Sequence, residues 1–168
     1  MQPNVPYSRA KGSLGQWLED VSPALEVTSA WLRIFYPYGP GEHSSRLPSL
    51  LMRKLSAGVS TELRTPDSIK DYIFLDDLAA CVAAVLESSL TGPVNVGSGM
   101  GVRIWDLALA AAAVLKVDAA LLTRAHPVAS DPWPVHIADP SRLHQIGWAP
   151  TTSLKTGLAK LAESLSSL

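Results

Sequence analysis

A chain of 168 residues with 47% hydrophobic and 17% charged side chains is long enough for one globular domain with its own core. Fourteen basic against fifteen acidic residues leave a net charge of −1 with no basic stripe, which argues against a nucleic-acid partner. A lone Cys81 excludes an intramolecular disulfide and suits a reducing cytoplasm, and the longest apolar run, 107–115, falls short of the roughly 20 residues a membrane span requires.

The first six residues carry neither a charged nor an apolar leader segment, so no signal peptide is expected. A helix is predicted from Pro6 or Tyr7 to Glu19, with Pro6 tolerated in the first turn. Gly12 and Gly15 weaken it by about 1 kcal/mol each unless something packs closely against them. Residues 26–35 read as a buried strand, on the strength of Val27, Thr28, Trp31, Ile34 and Phe35. Residues 36–41, with two prolines and two glycines, read as a loop.

A helix over 47–57 follows, with Ser45 as its cap and Gly58 as its stop. Short strands are expected at 61–63 and 71–74, then an Ala-rich helix capped by Asp76 or Asp77 and ending near Glu87. Cys81, inside that helix, reads as a buried, inert thiol. Residues 94–97 read as a strand entering a turn, 104–115 as a helix and 121–125 as a strand. A proline-containing loop covers 127–134. Asp139 and Pro140 open a short helix, and Ser153 caps a terminal one whose Leu154, Leu158, Leu161 and Leu165 share a face. The whole is mixed α/β with no linker that divides it.

Tyr7 and Lys11 stand four apart on one helical face. A phenol titrates near pH ~10, too high for a neutral-pH base, and a fixed cation within a few ångströms favours the phenolate. The same ammonium can bond a ribose hydroxyl. Alone, the pattern is better read as a solvated helix face. His43, His126, His136 and His144 have no metal-ligand spacing, so no metal is expected. Asp76 and Asp77 do not face each other on a helix, which makes capping a better reading than a catalytic pair. Residues 97–101 lack the Gly-x-Gly-x-x-Gly pattern and read as a turn.

Taken in order, Tyr7 to Lys11, the run WLRIFYPYGPG at 31–41, KDYIFLDDLA at 70–79, NVGSG at 95–99, and GWAP with TSL between Gly147 and Leu154 resemble the successive motifs of the extended short-chain dehydrogenase/reductase family, the NAD-dependent nucleotide-sugar epimerases and dehydratases. The resemblance implies an incomplete NAD(P)-binding Rossmann-type fold. Residues 1–35 would be the last helix and strand of the cofactor half, and 36–168 mainly the substrate-binding lobe. It implies Tyr7 and Lys11 as the catalytic pair, with Phe35 and Pro37 also against the cofactor. Tyr36, Arg46, Lys70 and Arg124 would face the substrate, the last two near its diphosphate, with a solvated surface side chain as the alternative reading for both cations. Tyr36 stands in place of the family's usual Asn and Lys70 in place of its Arg, which leaves the sugar open.

The family's glycine-rich loop and ribose-binding acid would lie upstream of Tyr7. The sequence therefore reads as a piece of a longer enzyme, whether engineered, proteolysed or so encoded. No NAD or NADP is expected to bind these residues alone, and the choice between the two cofactors is open, as is that between epimerase, dehydratase and reductase. A non-catalytic substrate-lobe module is the alternative. The covered strand and helix 7–35, once without partners, imply a homo-oligomer, most simply a dimer.

Overall fold

In the computed structural model, which describes residues 6–166, the elements run α1 (Pro6–Val21), β1 (Ala30–Ile34), β2 (Tyr36–Tyr38), α2 (Leu47–Ser56), β3 (Thr61–Leu63), β4 (Ile69–Phe74), α3 (Leu75–Leu86), β5 (Gly92–Val96), β6 (Gly101–Arg103), α4 (Ile104–Leu115), β7 (Leu122–Arg124), β8 (Val135–His136), α5 (Ser141–Gln145) and α6 (Leu154–Ser166). The pattern is mixed α/β with mostly parallel strand pairs, as expected.

The chain turns back between α1 and β1. Ser22 Oγ hydrogen-bonds Ser29 Oγ at 2.8 Å, and Val27 N donates to the Ser22 carbonyl. Glu26 takes φ 54° inside this turn. The strand expected over 26–35 is therefore corrected to Ala30–Ile34, because the turn consumes the first residues of the apolar run. Nor is the strand wholly covered, since Ile34 is 45% exposed. Of the two α1 glycines, Gly15 has a packing reason: a Cβ there would lie 3.0 Å from the Trp31 ring.

β1 pairs in parallel with β5, Ala30 opposite Gly92 through Ile34 opposite Val96. Among the described residues it has no second strand neighbour. β2 overturns the loop reading of 36–41. It pairs in parallel with β4, Tyr36 opposite Tyr72 and Tyr38 opposite Phe74. The strand tolerates Pro37 because it lies at the sheet edge and proline's fixed φ suits extended backbone. The first half of β4 pairs with β6 (antiparallel) and β8 (parallel), while β3 pairs with β7.

β4 divides the core by its two-residue period. Tyr72 and Phe74 point into a cluster with Tyr38, Leu51, Leu55, Leu107, Leu158 and Leu161. Ile73 points into another with Cys81, Val94, Val96 and Leu143. Cys81 is fully buried, and burial pushes its thiol up to about 11. α4 packs against both α2 and α6. Its buried Ala108, Ala111 and Ala112 add little bulk to that contact.

Three capping expectations differ from the structure. Arg46, not Ser45, holds the N-cap position of α2 without a side-chain bond, since Ser45 Oγ is 2.8 Å from His43 Nδ1. Neither Asp76 nor Asp77 caps α3, whose N-cap is Phe74. Asp76 pairs with Lys160 at 3.0 Å, and Asp77 accepts from Thr151 and Thr152. Pro140 rather than Asp139 is the N-cap of α5, with Asp139 accepting from Ser141 N at 3.0 Å. Ser153 does cap α6, taking the Thr156 N–H at 3.1 Å, and Gly58, at φ 68°, ends α2.

Gly157 shows how tightly α6 seats. A Cβ there would come within 2.8 Å of Tyr38 Cζ and 2.9 Å of Phe74 Cδ2, both on buried rings. Around Gly12 there is open space. Two glycine-to-alanine changes in helices should thus have opposite signs. Gly12→Ala is expected to stabilise by up to ~1 kcal/mol, and Gly157→Ala to destabilise by ~1–3 kcal/mol through overpacking. Urea midpoints of the two variants give the comparison, and a Gly157→Ala protein as stable as the parent would contradict this packing.

Candidate active site

Ser22 meets Ser29 where α1 ends and β1 begins, while Gly15, two turns earlier in the helix, touches Trp31, further along the strand. Helix and strand are therefore antiparallel, and the start of α1 lies toward the end at which β1 and β5 terminate. In open α/β sheets ligands gather at that carboxyl edge. Tyr7 is 71% exposed there, and Lys11 Nζ lies 5.9 Å from the centre of its ring. The pair that sequence spacing suggested is close in space and open to solvent.

Phe35 extends the ladder by one residue, its N–H donating to the Val96 carbonyl at 3.0 Å. Its ring lies 4.6 Å from that of His136. Tyr36, the next residue, places its Oη 3.2 Å from His136 Nδ1 and its ring 5.7 Å from Tyr72. Pro37 lies opposite Ile73. Lys70 Nζ is 5.8 Å from the Tyr36 ring centre. Phe35, Tyr36, Lys70 and His136 thus form one half-buried corner. Sequence reading named His136 only to set it aside as a metal ligand, because its strand is two residues long and its ring partners lie about a hundred residues away.

Lys70 is not a solvated lysine. It is 6% exposed, its ammonium 2.8 Å from Asp131 Oδ2 and bonded to the Trp133 carbonyl. Asp131 also accepts from Ser68 Oγ and Trp133 N. Hydrogen bonds from Lys70 and Ser68 hold its carboxyl down at about 2. Arg124 sits on β7, its NH1 within 3.0 Å of both Asp67 oxygens and its guanidinium over the Trp105 ring. Arg46 is exposed at the start of α2. These two arginines stand on elements separate from the aromatic corner.

The turn after β5 offers no phosphate cradle. Ser98 N and Gly99 N both donate to the buried Asp71, at 2.8 and 2.9 Å. The residues present can therefore fit the ribose end of a dinucleotide, through Tyr7 and Lys11, while the pyrophosphate finds no free amide pair at this turn. Two surface cavities, of about 160 and 290 Å³, are lined by Ser29, Ala30 and Gly92 among others, at the amino end of β1 and β5 and away from the corner. Among the described residues no group of His, Cys, Asp and Glu could hold a metal, and no helix is long and apolar enough to cross a membrane.

A sequence model of the NAD dependent epimerase/dehydratase family matches residues 1–97, more than half of the chain. GDP-L-fucose synthase 1 of Arabidopsis thaliana is 32% identical over 137 residues, which cover 73% of this chain and 41% of the relative. dTDP-4-dehydro-6-deoxyglucose reductase of Escherichia coli is 26% identical over 175 residues, covering 97% and 53%. The solved structure of UDP-glucose 4-epimerase with UDP-glucose, from Thermotoga maritima, superposes with a TM-score of 0.89 at 21% identity. It spans 99% of this chain and 55% of that one, so the fold is part of the same Rossmann-like architecture. The chain spans about half the length of the relatives it matches.

The pair formed by the buried Lys70 and the half-buried Asp131 yields a pH signature. A carboxyl held below its ordinary value stabilises the fold above about pH 3.9, and that contribution fades as pH falls toward the folded value. Asp131→Ala leaves a buried ammonium without its counter-charge and should cost roughly 3–5 kcal/mol at pH 7. The gap between parent and variant should narrow between pH 4 and 2. Urea titrations at pH 7 and pH 3 measure it, and a gap that does not depend on pH would show that Asp131 is not held by charge.

Proposed function

The chain belongs to the NAD dependent epimerase/dehydratase family, and from that premise we propose that its residues form the catalytic-pair helix and the sugar-side lobe of an NAD(P)-dependent enzyme acting on a nucleotide sugar. The observation that carries the reading is the Tyr7–Lys11 pair, solvent-open at the carboxyl edge of the parallel strands. Residues 1–35, with β5 paired to them, belong to the cofactor half in this reading, and 36–168 mainly to the substrate lobe. The dinucleotide-holding loop then comes from polypeptide outside these 168 residues, and the chain alone is inactive.

When bound, NAD or NADP supplies the hydride acceptor or donor. Tyr7 takes the proton from a sugar hydroxyl as hydride leaves its carbon, or returns a proton to a ketone oxygen as hydride arrives, and Lys11 holds the ribose beside it. Phe35 and Pro37 face the cofactor, and Tyr36 and Arg46 face the substrate. Lys70 and Arg124 already carry Asp131 and Asp67. A diphosphate would therefore reach either cation in competition with a carboxylate. The names of the relatives support the substrate class, since one makes a sugar nucleotide, one reduces one and one is solved with one.

Self-association belongs to the same reading. Leu14 and Trp17 on α1 and Ile34 on β1 are all about half exposed, and among the described residues the outer edge of β1 has no strand neighbour. Light scattering on the eluting peak should give a mass above the 17.9 kDa of one chain. A monodisperse monomer at micromolar concentration would remove this part of the proposal.

The catalytic part is tested in the protein that joins these residues to a dinucleotide-binding half. Tyr7→Phe should lower turnover by ~10²-fold or more while NAD(H) affinity changes little, and Lys11→Ala should damage both. Turnover above about a tenth of the parent's in the Phe variant would exclude Tyr7 as the proton-moving group.

A further inference from the structure

Among the described residues β1 and β5 form a two-stranded sheet, so each strand has one outer edge, and the two edges are not alike. Gly92 N donates to the Ser29 carbonyl at 2.8 Å, and the Val96 carbonyl accepts from Phe35 N at 3.0 Å. Even-numbered residues of β5 thus turn their ladder groups toward β1, and by alternation 91, 93 and 95 turn theirs outward. In the middle of that outer edge stands Pro93, which has no N–H to offer. One side chain takes two of the outward carbonyls. Arg142 donates from Nη2 to the Thr91 carbonyl at 2.7 Å and from Nη1 to the Pro93 carbonyl.

Arg142 is held in place by its own helix. The next residue of α5, Leu143, is fully buried in the cluster of Ile73, Val94 and Val96, and its carbonyl accepts from Trp148 N at 3.0 Å. Among the described residues no carboxylate pairs with the guanidinium. Its planar fork instead spans two acceptors on one strand edge. On β1 the outward residues are Ala30, Leu32 and Ile34, none of them proline, and among the described residues no strand lies beside them.

We infer that Arg142, with Pro93, closes the β5 edge and so limits how copies of this chain associate. The partner in question is a second copy, and the inference rests on the reading above in one respect, that an open β1 edge seeks a strand. With both edges open, the β1 edge of one copy would pair with the β5 edge of the next. That contact is head-to-tail, leaves a free edge at each end and adds copies without limit. With β5 closed, strand pairing is left to β1 against β1 across a two-fold axis, which occupies both open edges and stops at two copies.

Light scattering over a concentration series tests this. Arg142→Met keeps the aliphatic stem and removes both donors. Its weight-average mass should climb with concentration to at least about twice the parent's, while the parent's stays level. Adding Ile34→Pro, which withdraws an outward N–H from the β1 edge and leaves the ladder to β5 intact, should bring the mass back to the parent's or below. A folded Arg142→Met protein with the parent's mass at every concentration overturns the inference. So does growth that Ile34→Pro leaves untouched, because association then runs through another surface. Should circular dichroism show Arg142→Met unfolded, Arg142→Lys decides: its single ammonium holds one carbonyl and frees the other, and a mass equal to the parent's would sink the idea. A monomeric parent whose Arg142→Met variant still grows removes the self-association reading alone and supports the closed edge.

Discussion

Much of the molecule hangs on one buried carboxyl. Asp71, fully inaccessible in β4, accepts from Ser98 N, Ser98 Oγ, Gly99 N and Ala138 N, all within 3.1 Å. Those donors come from two separate segments, the turn after β5 and the stretch after β8. A buried carboxyl without such partners would be prohibitively costly, so the two segments have one arrangement that satisfies it. The arrangement also explains Gly97. Any Cβ there would lie 2.5 Å from Asp71 Oδ2 and 2.6 Å from Ala138 Cβ. In this way a polar residue of β4 ties down the segments that follow β5 and β8.

The same economy governs the second acidic site. Burial works against ionisation of Asp77, yet the hydrogen bonds from Thr151 and Thr152 outweigh it and hold the carboxyl below its ordinary range. That carboxyl joins the first turn of α3 to the residues that lead into α6. Both acids read from the sequence as local features, one inside a strand and the other as a cap. Their partners are 27 to 75 residues away, a distance at which no periodicity or capping rule operates.

That contrast marks what the sequence could disclose. Helices α4 and α6 were legible because the apolar spacing of each and the cap on α6 are local and agree with one another. β2 was not, because Pro37 and Gly39 argue for a loop in isolation, and only the pairing with β4 makes 36–38 a strand. The strand at β1 was placed but overextended, since an apolar run does not reveal that Glu26 adopts a left-handed turn. Of the candidate site, the Tyr7–Lys11 spacing was visible as a helical i, i+4 pair. The corner around Tyr36 was half visible, with Tyr36 named and His136 set aside.

The motifs that carry the resemblance divide into two physical kinds. Asp71, Asp77 and Gly97 are all buried, and each is explained by a carboxyl that must be satisfied or by a Cβ that would not fit. Tyr7 and Lys11 stand in the open, where the fold does not need a phenol and an ammonium at that spacing. A side chain required for folding can persist in a protein that has changed or lost its chemistry, so the buried set speaks for the fold alone. The exposed pair has no such structural reason. In the proposed reading it is the part of the pattern assigned to a reaction, and the turnover of the Tyr7→Phe protein decides it.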